Sequence, residues 1–268
     1  MILIVQLRRE GSIISDTQGK NMRTRLAFVA AFVSLVVLSV QATAEDALAN
    51  VKSVAVVSAI GDCLNLIDVG TAGILTDIFN PQCLPTDSWA IDDLVTGQIT
   101  DAIGGRFAVK SVTYDRSQFT HLPVTSLPVM PTELTQALQR LQNPGVDAYI
   151  VVTKLQLGNV ISDASTPVSG IGIAHEGSLL LGDTNRMYAF YIIRIVDARS
   201  FALLAIEGSH LPKTGLLPRV PAVDVDDSMW SDRAAEMTEA QKTAAKAQTQ
   251  TLVRDSIAST LHYMNLTQ

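Results

Sequence analysis

Val51 to Ile60, VKSVAVVSAI, is β-branched and almost continuously apolar, the pattern of a strand buried on both faces and so of a central place in a sheet. From Trp89 the period changes. Trp89, Ile91, Leu94, Val95, Ile99 and Ile103 recur at helical spacing, with Asp87 or Ser88 as the cap and Gly104-Gly105 as a left-handed stop. Asp92, Asp93, Gln98 and Asp101 supply the wet side of that helix. Arg106 to Tyr114 alternates apolar and polar residues, which predicts a second strand. A loop spaced by Pro123 and Pro128 follows, and Pro131 is placed as the first residue of a second helix. Leu134, Ala137, Leu138 and Leu141 form its stripe before Asn143-Pro144-Gly145 ends it. Ala148 to Leu157, AYIVVTKLQL, reads as a third strand. Strand, helix, strand, helix, strand favours parallel neighbours with helices packed against them.

Beyond Leu157 the character changes. Gly170 to Leu181 is rich in glycine and apolar residues, Met187 to Asp197 is a strong strand, and Phe201 to Ser209 is another. Only Ala198-Arg199-Ser200 separates the last two, so they are expected to pair as an antiparallel hairpin. A polar, proline-rich connection from Leu211 to Asp227 leads to a long or broken helix over Ser228 to Met264. Its first half reads as exposed and its second as docked through Leu252, Ile257, Leu261 and Met264. The fold class expected is α/β (α+β): a mixed sheet with β-α-β-α-β, then an antiparallel hairpin and a C-terminal helix. Residues 61–87 interrupt it as an insertion, with Leu64–Val69 and Gly73–Phe79 as hairpin candidates. Such an insertion, placed after the first strand, serves either as a binding loop or as a lid over one edge. A boundary between Asp183 and Met187 is the alternative to a single domain.

One stretch has neither period. Met22 to Ala44, MRTRLAFVAAFVSLVVLSVQATA, places Arg23 and Arg25 before an apolar run from Leu26 to Val40 and ends on Ala42-Thr43-Ala44. That is the layout of a secretory signal peptide cleaved between Ala44 and Glu45. The run of 15 residues is short of the roughly 20 that span a bilayer, so cleavage is expected rather than a retained anchor. Glu45 stands where a lipidated protein would need a cysteine, so no lipid anchor is indicated. Residues 1–21 have no role in such a signal, and translation is expected to begin at Met22. The working chain is then a single globular domain over residues 45–268, periplasmic or secreted.

Export changes the reading of charge and cysteine. Losing residues 1–44 removes five basic and two acidic side chains and moves the formal net charge from −6 to −9. Nucleic acid and anionic lipid, which need clustered Lys and Arg, are disfavoured, and a charged partner should be basic. Cys63 and Cys83 are the only cysteines, and an oxidising compartment favours a bond between them. Both are expected outside regular structure, stapling one long loop. A reactive thiol is the alternative, but no histidine lies near either cysteine in sequence.

No motif names a reaction. His121, His175, His210 and His262 lack the spacing of a metal pair. His175-Glu176, in a glycine-flanked loop, forms either a base with its carboxylate or a solvated turn. Asp224, Asp226 and Asp227 offer hard oxygen ligands without the glycine and distal Glu of a calcium loop. Gly170-Ile171-Gly172 lacks the third glycine and following helix of a dinucleotide fingerprint. No catalytic, cofactor-binding or metal residue is assigned, and no cofactor is expected. Trp89 and Trp230, each beside acidic residues at a helix start, are the candidates for a partner surface; the alternative is that each plugs the end of the core.

The VKSVAVVSAIGD strand, the SWAIDDLVTGQITDAIGG helix, the VDAYIVVTKLQ strand, the terminal hairpin and the closing helix together resemble the TolB amino-terminal type of periplasmic α/β domain. The same architecture occurs in the curli secretion channel subunit and in lipoprotein activators of penicillin-binding proteins. The resemblance implies a non-catalytic envelope module that binds a protein or envelope component. The chain departs from it in lacking a lipidated Cys and in adding the Cys63 to Cys83 insertion, so membrane attachment and a channel role are not carried over. The alternative reading is an exported hydrolase with a dispersed active site, which would need titratable groups converging in a cleft.

Overall fold

A computed structural model of the chain describes residues 47–71, 81–120, 122, 130–141, 145–157, 168–177, 183–212 and 219–267. The chain divides into two compact units, residues 1–50 and 51–268. Of the first, only residues 47–50 are described, so the signal segment and the Ala44–Glu45 junction lie outside the described residues.

In the second unit, the apolar run after Val51 forms β1 (Ser53–Ala59), with Val54 to Ala59 buried. It lies between two parallel neighbours, β4 (Ala108–Lys110) and β5 (Ala148–Lys154), as an α/β crossover order requires. β4 is much shorter than the alternating stretch Arg106 to Tyr114. The order continues from β5 to the antiparallel β8 (Thr184–Asp197) and then β9 (Leu203–Gly208), so the expected terminal hairpin is present. The mixed α/β class expected from the chain is the one observed.

β8 organises the rest. At 14 residues it runs unbroken through the alternative boundary at Asp183 to Met187. Its second half pairs with β5 and β9; its first half pairs with β7 (Val168–Gly177) and β10 (Ala222–Val225). The exchange falls at Phe190 and Tyr191, opposite Gly170 of β7 and Lys154 of β5 respectively. Leu155 interrupts the third strand there, leaving β6 (Gln156–Leu157) to pair with β7. One side of β8 thus carries two successive half-sheets, and the whole sheet curls.

The insertion is not a free loop. Its first part is β2 (Cys63–Thr71), which pairs in parallel with β7 and antiparallel with β3 (Gln82–Pro85). Cys63 and Cys83 are therefore strand residues rather than loop residues, and the bond joins them across the hairpin with Cα atoms 5.5 Å apart. The expected strand over Gly73 to Phe79 falls outside the described residues.

Helices cover both faces. α1 (Ile91–Ile103) packs on β1 and on α4 (Glu239–Tyr263), which also packs on β8. Tyr191 Oη lies 2.7 Å from Ser256 Oγ of α4 at that contact. Burial of the Tyr191 ring pushes its phenol far above the usual range. On the other face, α2 (Ser117–Thr120) contributes Phe119 and α3 (Thr132–Gln139) contributes Leu134, Ala137 and Leu138 to a core with Ala55, Val57, Tyr149 and Val151. Each Leu, Val or Phe there contributes about 1.5–3 kcal/mol on burial. The second half-sheet has its own cluster, in which Tyr188 and Phe190 stack 5.1 Å apart.

The helix ends depart from expectation in three places. Asp87 to Trp89 form a 3-10 turn and Ala90, at φ 54°, starts α1, so neither Asp87 nor Ser88 caps it. Gly104 is right-handed, at φ −59°, because it continues the last turn through its bond to Thr100. Pro131 precedes its helix as the N-cap rather than opening it. The last helix is broken as anticipated: two 3-10 turns, Asp227–Met229 and Ala234–Glu236, precede α4. Thr238 and Gln241 close a reciprocal capping box at its start.

Candidate functional site

In a sheet with parallel strands, ligands favour the carboxyl ends of those strands where the order reverses. Here that place is the end of β1, and a single side chain fills it. Asp92, in the first turn of α1 and only 2% exposed, accepts from Ser58 Oγ at 2.7 Å, from Ile60 N at 2.9 Å and from Gly61 N at 3.3 Å. Its second oxygen takes Arg116 Nε at 3.0 Å, and Arg116 also reaches Asp87 at 3.3 Å. Tyr114 Oη donates to the Ser58 carbonyl and accepts from the Ser58 amide. Burial pushes the Tyr114 phenol up, against the smaller opposing effect of the bond from the Ser58 amide. Gly61 is required, since a Cβ there would sit 2.7 Å from Ile91 Cβ. The carboxylate is saturated by the fold itself and ties β1 to α1.

The residues singled out by type come together elsewhere. His175 and Trp230 stack, with ring centroids 4.9 Å apart and planes 14° apart. His175 lies in β7 rather than in a loop, and successive strand residues point to opposite faces, so His175 and Glu176 do not act as a pair. The partner of His175 is across the ladder: Nδ1 is 2.9 Å from Asn185 Oδ1, and Asn185 Nδ2 donates to Asp227 at 2.7 Å. Among the described residues no hydroxyl or thiol is bonded to His175.

Trp230 is half-buried and pinned along its length. Its indole N–H donates to Asp232 at 3.1 Å, its backbone N–H donates to Asp227, and its carbonyl accepts from Gln241 of the α4 capping box. The stapled hairpin holds the same segment. Gln82, beside Cys83, donates to the Asp232 carbonyl at 2.6 Å and accepts from the Ala234 amide at 2.9 Å. The result is a rigid aromatic pair bordered by Asp227 and Asp232.

Trp89 is otherwise placed. It is 6% exposed in the 3-10 turn, with Gln250 of α4 donating to its carbonyl, so it plugs the core and is not a partner surface. The acidic run disperses in the same way: Asp224 pairs with Arg186, Asp226 caps its own turn, and Asp227 serves Asn185. The Asp226 carboxyl is held below its usual range by Ser228. Gly172 belongs to β7, where a Cβ would overlap the Tyr188 hydroxyl and the Asn65 carbonyl. His210 bonds Glu207 at 2.7 Å, and His121 lies outside the described residues. Among the described residues no group of three or more His, Cys, Asp or Glu side chains is arranged to hold a metal. No helix among them is long and apolar enough to cross a membrane.

No protein-family model matches the chain, and no curated protein matches it. Among solved structures, a hypothetical protein from Chlamydia trachomatis is similar over 80% of this chain and 97% of its own. The identity is 11% and the TM-score 0.31, a likeness too slight to bear on fold or function.

Proposed function

We propose that this chain is an exported, non-catalytic accessory protein that recognises a protein or envelope component through the surface around Trp230 and His175. The observation that carries the reading is the stack itself: a half-exposed indole, immobilised by three backbone and side-chain bonds, on an acidic border. Aromatic anchors of this kind concentrate binding energy, and little ordering entropy remains to be lost when a partner arrives. Asp227 and Asp232 suit a basic partner. Export is supported by the Met22 to Ala44 pattern and by the Cys63–Cys83 bond, which favours an oxidising compartment. The resemblance to TolB-type envelope domains points the same way.

The hydrolase alternative draws on one feature, the imidazole oriented by Asn185 and Asp227. It lacks a nucleophile at hydrogen-bond distance among the described residues, and the indole occupies one face of the ring. The test is quantitative capture of envelope components by the purified protein and its Trp230→Ala and Arg140→Ala variants. A component retained by wild type and Arg140→Ala but lost with Trp230→Ala supports the reading. Equal recovery by all three contradicts it.

A further inference from the structure

Further along α4, a cleft of about 250 Å³ opens between the helix, β10 and the bridge that pairs Leu211 with Arg219. Leu211 and Leu252, 5% and 3% exposed, form its floor with Val223. The walls carry opposite charges: Arg219 on one and Asp255 on the other. Among the described residues Arg219 and Asp255 make no ion pair with each other or with any other side chain, although both line one small space. The Arg219 backbone is fixed, its carbonyl accepting from Leu211 N at 2.9 Å. A second cleft, by Trp89, offers Lys242 and Lys246, but the first is paired with Glu239 and the second bonds the Ser88 carbonyl.

We propose that the Arg219–Asp255 cleft binds a small apolar zwitterion, an aliphatic amino acid or the equivalent dipeptide. The carboxylate meets the planar donor fork of Arg219, the ammonium meets Asp255, and the aliphatic side chain covers Leu211 and Leu252. The volume sets the scale: it lies below the 300–1,000 Å³ typical of drug-sized sites, so the occupant is small. The site is separate from the Trp230 surface and does not depend on what that surface binds.

Calorimetric titration of the full protein with leucine and with leucyl-leucine tests this, the pair distinguishing a free amino acid from a peptide. Saturable binding of at least one is expected. Leucinamide, which lacks the carboxylate, and N-acetylleucine, which lacks the ammonium, should each bind about tenfold more weakly or worse, the usual loss for a hydrogen bond to a charged group. Arg219→Gln and Asp255→Asn, both surface changes, should reproduce those two losses respectively. The proposal is overturned if neither zwitterion binds at millimolar concentration, or if blocked and unblocked ligands bind alike.

Discussion

The His175 ring lies flat against the Trp230 indole, and its Nδ1 bonds Asn185, the residue opposite it across the strand ladder. An ionised Asp227 can only accept, so Asn185 turns its amide nitrogen toward Asp227 and its oxygen toward His175. His175 Nδ1 is then the donor of the bond to the Asn185 oxygen. A chain of three polar side chains, from β7, β8 and the 3-10 turn after β10, thereby orients a ring held beside an aromatic face.

Removing the indole should cost both stability and the orientation of that ring. Trp230→Ala is expected to lose on the order of 1 kcal/mol from the stacked pair alone, with a further loss from Asp232, whose bond disappears. Trp230→Phe should keep most of the stacking and lose only the indole bond. Urea unfolding of the three proteins checks the order; a phenylalanine variant as weak as the alanine would contradict it.

The bond between Cys63 and Cys83 should leave no free thiol when the unreduced protein is unfolded and counted. Cys63→Ser with Cys83→Ser should lower stability by about 3 kcal/mol, the chain-entropy value for a loop of this size. Because Gln82 links the hairpin to Asp232 and Ala234, the same variant should loosen the segment that carries Trp230. Amide exchange at residues 230–234 measures that loosening, and unchanged protection there would break the link.

Asp92 should be the costliest polar side chain to remove. Asp92→Ala strands the Ser58 hydroxyl and the Ile60 and Gly61 amides and takes a partner from Arg116, and each buried donor left unsatisfied costs about 1–3 kcal/mol. Arg116→Met should cost less, because Arg116 is partly exposed and Asp92 keeps its other donors. Chemical denaturation that ranks the two variants in the opposite order would refute this role for the carboxylate at the strand end.

Acid sensitivity should trace in part to Asp147. The Lys52 amide, then the Ser53 hydroxyl and amide, hold its carboxyl below the usual range. A depressed folded value stabilises above the unfolded pKa of about 3.9 and is lost as pH falls through the folded one. The stability gap between wild type and Asp147→Asn should therefore be constant near neutrality and close below about pH 4. A gap that widens on acidification would reverse the sign.

Much of the first half-sheet was legible in the chain because its signals are local. β1, the β8–β9 turn at Ala198-Arg199-Ser200 and the break before α4 each show themselves in a short stretch of sequence. The second half-sheet was not. β10 is four residues in a polar connection, too short to show a period, and β2 pairs with a strand, β7, far away in sequence. Nothing in the sequence marks Asn185 as the residue between His175 and Asp227, and Trp89 and Trp230 look alike until one is packed at 6% exposure and the other is not. Burial and cross-strand register separated them, and neither is a local property.

Whether the Trp230 and His175 surface meets a partner can be read in living cells, with a photoreactive residue at position 228, which is exposed two residues before Trp230, and a control at the exposed position 140, at the end of α3. A partner docked on the aromatic pair gives a discrete crosslinked adduct from position 228 that disappears when Trp230→Ala is added, and none from position 140. The same adducts from both positions, or an adduct at 228 indifferent to Trp230→Ala, would contradict a partner surface there.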